Sequence, residues 1–93
     1  MSAKEMFEKL GYEYHQYDSE EITCIKQDRQ WRKIGTITIC FDLINKELEL
    51  GFKGEISGNL PVFIKYQELQ AINKQVEELG WLRGKEVEDN ESN

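Results

Sequence analysis

The segments GTITICFDL at residues 35–43 and ELELGFK at residues 47–53 constrain the fold more than any other part of the chain. In the first, Ile37, Ile39, Phe41 and Leu43 occupy every second position. In the second, Leu48, Leu50 and Phe52 do the same. Side chains alternate between the two faces of a strand, so each run has one apolar and one polar face. Asn45-Lys46 lies between them, a short polar break suited to a hairpin. Two such strands in succession predict an antiparallel sheet covered on one side only.

Two further strand candidates precede this pair. YEYHQY (12–17) places tyrosines on alternate residues before the turn-like DSEE, and ITCIKQ (22–27) also alternates. Short connections make a meander the economical order for four antiparallel strands. Helices bracket the sheet. Ser2 and Glu5 have the spacing of a capping box, Ala3, Met6, Phe7 and Leu10 form one stripe, and Gly11 suits a left-handed helix end. Residues 65–79 put Leu69, Ile72, Val76 and Leu79 on one face, with Gly80 as the stop and Trp81 placed to fold back onto Val76. A helix of about fifteen residues is marginal alone, so this stripe is expected to close the core. GEISGNLP (54–61), which ends in the single proline, reads as a loop.

The expected fold class is therefore α+β: a short N-terminal helix, a four-stranded antiparallel meander sheet, and a longer C-terminal helix packed on one sheet face. A chain of 93 residues supports one hydrophobic core, assigned here to residues 1–82, with residues 83–93 as an acidic, disordered tail.

The net charge of −6 divides into −2 for the tail and −4 for residues 1–82. A surface this mildly acidic lacks the basic footprint of a nucleic-acid or anionic-membrane binder. No apolar run is long enough to span a bilayer, and MSAKEMFEKL lacks the continuous apolar stretch of a signal peptide. A cytoplasmic location is expected. Cys24 and Cys40 have no CxxC-type partners and read as free structural thiols, although pairing of residues 22–28 with 35–42 could bring them together as cross-strand neighbours.

Catalytic chemistry is poorly supplied. His15 is the single histidine and sits in a tyrosine-rich strand; none of the four serines lies in a G-x-S-x-G context. Asp18, Glu20 and Glu21 cluster in a turn without the ligand spacing of an EF-hand, and Gly51, Gly54 and Gly58 match no phosphate-binding loop. Glu47 and Glu49 share the polar face of one strand. No catalytic, cofactor-binding or metal-ligating residue is assigned, and the chain is not expected to be an enzyme. The most distinctive local feature is KQDRQWRK (26–33), in which basic residues surround a tryptophan on a hairpin end. Arg29, Trp31, Arg32 and Lys33 are the candidate partner-binding residues, because an exposed tryptophan beside arginines stacks on a base or anchors a protein interface. The alternative is Trp31 folded onto the sheet edge with its charged neighbours solvated.

Three segments, AKEMFEKLGYEY, ITICFDLINKELE and ELQAINKQVEELGWL, resemble small uncharacterised phage and prophage proteins of low-GC Gram-positive bacteria over most of residues 3–82. Where similar proteins carry Thr-Met, this chain has Lys65-Tyr66, which removes a good N-cap residue. The resemblance implies a small cytoplasmic protein made in an infected or lysogenic cell, and brings no site residues with it. The expected function is that of a non-catalytic accessory or protein-interaction protein. The alternative is an acidic inhibitor of a host nucleic-acid-binding protein. A protein partner, from host or phage, is expected ahead of nucleic acid. No membrane contact and no cofactor are expected, and a sheet with two open edges also admits a homodimer.

Overall fold

A computed structural model describes residues 1–30, 33–54 and 62–82, the side chains of residues 29, 30 and 33 excepted. Helix α1 spans Ala3–Lys9, followed by strands β1 (Glu13–His15), β2 (Glu21–Gln30), β3 (Lys33–Asp42) and β4 (Glu47–Gly54), then helix α2 (Tyr66–Leu79). The strands form one antiparallel sheet in the order β1-β2-β3-β4, so the α+β meander is the architecture. Residues 55–61 of the expected loop and the expected tail at 83–93 lie outside the described residues.

Local chemistry sets the element ends. The Ser2 hydroxyl accepts the Glu5 N–H at 3.1 Å, and the Glu5 carboxylate accepts the Ser2 N–H at 2.8 Å, completing the capping box. Gly11 takes φ +96° and Gly80 takes φ +78°, the left-handed conformations that favour glycine after a helix. The turn between β3 and β4 is longer than the expected Asn45-Lys46 break. Asp42 organises it: Oδ1 accepts the Ile44 and Asn45 N–H groups, each at 3.0 Å, and the side chain thereby spans residues 42–45. These donors favour the ionised form and lower the Asp42 pKa. Helix α2 starts without a side-chain cap at Lys65. Instead Glu68 Oε1 accepts the Lys65 N–H at 2.7 Å, supplying one half of a capping box from inside the helix.

The inner sheet face carries the core. Ile22, Cys24, Ile37, Ile39 and Phe41 are buried from β2 and β3, joined by Phe7 of α1, Tyr12, and Ala71 and Ile72 of α2. Aromatic rings tie the layers together, with Phe7 against Phe41 at 6.2 Å and Phe41 against Trp81 at 6.4 Å between centroids. The Glu78 carboxylate accepts the Ala3 N–H at 2.9 Å, joining the end of α2 to the start of α1.

Three expectations are corrected. The first concerns one member of the α2 stripe: Ile72 is buried and Val76 and Leu79 pack against the core as expected, but Leu69 is 51% exposed and Glu68, Ala71 and Gln75 are buried beside Ile72. Successive residues step about 100° around a helix, so turning Glu68 inward carries Leu69 off the core. The second concerns β4, whose apolar row reaches only the margin of the core: Phe52 packs against it, but Leu48 is 40% and Leu50 38% exposed. The third concerns the cysteines. The β2–β3 register sets Cys24 opposite Ile39 and Cys40 opposite Thr23, which puts the two thiols on opposite faces of the sheet. Both are free, and burial pushes the Cys24 thiol up to about 12.

Candidate functional site

The interior holds a polar cluster built from three elements. Tyr12 Oη donates to Glu68 Oε2 at 2.5 Å, and Glu68 is only 2% exposed. Lys26 of β2 reaches into the same place. Its ammonium donates to the Leu10 carbonyl at 3.0 Å, stands 3.4 Å from Asp28 and 3.8 Å from Glu68, and sits 5.0 Å from the Tyr12 ring centre. Two turns further along α2, Tyr14 Oη donates to Gln75 Oε1 at 2.6 Å. Burial, and then the Glu68 carboxylate, push the Tyr12 phenol well above its ordinary range. Burial pushes Tyr14 up to about 12. Every buried side-chain polar atom among the described residues has a partner, so these groups hold one another and fix the helix on the sheet.

The outer face is polar and open. Register places Glu21, Asp42 and Glu47 side by side across β2, β3 and β4, and Glu49 beside Cys40 in the next row. Four carboxylates thus border a hollow of about 430 Å³ whose floor includes Cys40. Burial raises the Cys40 thiol, and the charges of Glu21, Glu49 and Asp42 raise it further. Such a thiol is a poor nucleophile, because the thiolate is the reactive form. No group of three or more His, Cys, Asp or Glu among the described residues is arranged to hold a metal ion. At the sheet margin His15 stacks on Tyr17 at 5.3 Å and lies 3.2 Å from a Glu13 oxygen.

The third feature is the free edge of β4. Among the described residues β4 pairs with β3 alone, and its inner row, Leu48, Leu50 and Phe52, is only half covered. The Phe52 ring leans over the Gly35–Gly54 pair so closely that a Cβ on Gly35 would meet its Cζ at 2.6 Å. The opposite edge, β1, is only three residues long. Long, exposed, apolar edge strands invite strand addition.

Of the sequence candidates, Arg29 and Lys33 lie in paired strands, opposite Ile34 and Gln30 respectively. Trp31 and Arg32 lie outside the described residues. The acidic outer row escapes sequence reading because only the register brings its residues together, and the exposure of the β4 edge because alternation does not say how far the helices reach across the inner face. A visible clue to the inward turn of α2 was Glu68 three residues after Lys65, the spacing of a capping carboxylate. Among the described residues no helix is long and apolar enough to cross a membrane. Comparison with protein-family models, with curated proteins and with solved structures finds no match for this chain.

Proposed function

We propose that this chain is a non-catalytic interaction protein that receives a partner strand along the free edge of β4. The half-exposed row of Leu48, Leu50 and Phe52, on a strand whose outer edge has no partner among the described residues, carries this reading. Backbone pairing supplies affinity in such complexes, and the alternate side chains supply selectivity. The closed internal cluster of Tyr12, Lys26 and Glu68 supports the non-catalytic part, because its groups are committed to one another. The setting we attach to it, an infected or lysogenic cell, rests on the resemblance of the segments quoted above.

The test is capture by tagged protein, from host lysate and from an untagged copy of the chain, comparing wild type with Leu50→Lys. Capture by wild type that is lost in the variant supports docking at the edge. Capture that the variant retains refutes it. Turnover of a substrate that disappears on a point substitution refutes the non-catalytic reading. A second reading, an acidic inhibitor of a host nucleic-acid-binding protein, is favoured by the row of Glu21, Asp42 and Glu47. Binding of that kind weakens steeply with salt, whereas edge docking through apolar residues does not.

A further inference from the structure

We propose that the strand received at the β4 edge is β4 of a second copy of this chain, paired antiparallel about a two-fold axis at Leu50. This rests on the edge-docking reading above and names its partner. A two-fold pairing brings the same patch of both copies together, so the strand must complement its own reverse. With the axis at Leu50, Leu48 of one copy faces Phe52 of the other, Glu49 faces Gly51, and Glu47 faces Lys53, each pair occurring twice. Every residue from 47 to 53 is then paired. Opposite charges meet at both ends of the outer face, and the two half-covered apolar rows become contiguous on the inner face.

The alternatives within the strand are poorer. A shift of the axis by half a residue sets inner-face side chains against outer-face ones, which the pleat forbids. An axis at Glu49 opposes that carboxylate to itself, and like charges directly opposite are destabilising. An axis at Gly51 leaves Leu48 facing Gly54. Gly51 also gives Glu49 of the second copy room, since a Cβ there would find nothing within 4 Å. The pairing continues the sheet to eight strands with both helical layers on one side, because the order ends in β4 in each copy.

Solution mass, by light scattering and sedimentation equilibrium, tests the state, and charge reversal tests the register. Glu47→Lys and Lys53→Glu each change the outer face alone, so the core is untouched, which melting curves check. In this register each single variant sets like charges opposite one another twice, and the dimer constant falls roughly tenfold. Mixing the two variants restores it, because a new lysine then faces the new glutamate and native Lys53 faces native Glu47. A wild type that stays one chain in mass up to its solubility limit overturns the second copy as partner. So does a dimer that neither variant weakens, or one that the mixture fails to restore. A monomeric wild type that still loses a captured protein on Leu50→Lys removes the second copy while leaving edge docking intact.

Discussion

Tyr12→Phe measures the interior cluster directly. The substitution removes the hydroxyl that donates to Glu68 at 2.5 Å and leaves the ring, which keeps its edge-on contact with Phe7 at 5.6 Å between centroids. No cavity of consequence opens, so the cost is the bond itself. Hydrogen bonds to charged groups are worth about 1.5–3 kcal/mol net. Glu68 would still accept the Lys65 N–H at 2.7 Å and feel Lys26 at 3.8 Å, which holds the loss to about 2 kcal/mol. In a domain of this size that lowers the melting temperature by roughly 8–16 °C.

The companion substitution Tyr14→Phe removes a neutral bond, from the phenol to the Gln75 amide at 2.6 Å, and should cost about 1 kcal/mol. Urea unfolding followed by far-ultraviolet circular dichroism reads both, with unchanged slopes confirming two-state behaviour. The ordering is the sharp part. If Tyr12→Phe costs less than Tyr14→Phe, or under about 0.5 kcal/mol, the buried carboxylate does not depend on its phenol and the account of how α2 is held fails.

Three further outcomes follow from the same geometry. Ile72→Ala, at a 6% exposed position, should cost about 2–5 kcal/mol, whereas Leu69→Ala, 51% exposed, should fall within about 0.5 kcal/mol; equal costs in urea unfolding would return α2 to the apolar-stripe orientation. Gly35→Ala places a Cβ 2.5 Å from the Lys53 carbonyl and should destabilise by about 1–3 kcal/mol, while Gly51→Ala meets nothing within 4 Å in its own chain and should be neutral or better for the monomer, both read by urea unfolding at low protein concentration. Both core phenols have folded-state pKa values raised above the ordinary 10.0, Tyr14 to about 12, so the neutral forms stabilise the fold. That contribution is complete below pH 10.0 and is lost as pH rises toward 12; tyrosinate absorbance from these residues should therefore appear together with unfolding, not before it.

Much of the architecture is legible in the sequence because period and punctuation are local. Ile37, Ile39 and Phe41 alternate in the sequence and are all fully buried in the structure. Ser2 with Glu5, Gly11 and Gly80 mark helix ends through chemistry that involves only neighbouring residues. Alternation also places Leu48 and Leu50 on the inner face, but it cannot say how far the helical layer reaches across that face. Among the strands the fully buried core draws on β2 and β3, and β4 adds only the partly buried Phe52 at its margin. The acidic row is hidden for a different reason. Glu21, Asp42 and Glu47 come from three strands, and only the register makes them neighbours.

The inward turn of α2 shows how polar pairs settle a choice that hydrophobicity leaves open. Of the stripe Leu69, Ile72, Val76 and Leu79, the last three pack on the core, and a rotation that brought Leu69 inward as well would carry Glu68 away from it. Yet β1 and the residue before it present two phenols on the same side of the sheet, and a purely apolar helix face would leave both hydroxyls buried without acceptors. Each such orphan costs about 1–3 kcal/mol, comparable with what burying one leucine contributes. Glu68 and Gln75, seven residues apart on one helix face, supply both acceptors at once and admit a single rotation and a single height of α2 over the sheet. Leu69 is turned outward as a consequence. The helix layer therefore stands where the tyrosines place it, and the half-exposed leucines of the β4 edge are what the described helices do not reach.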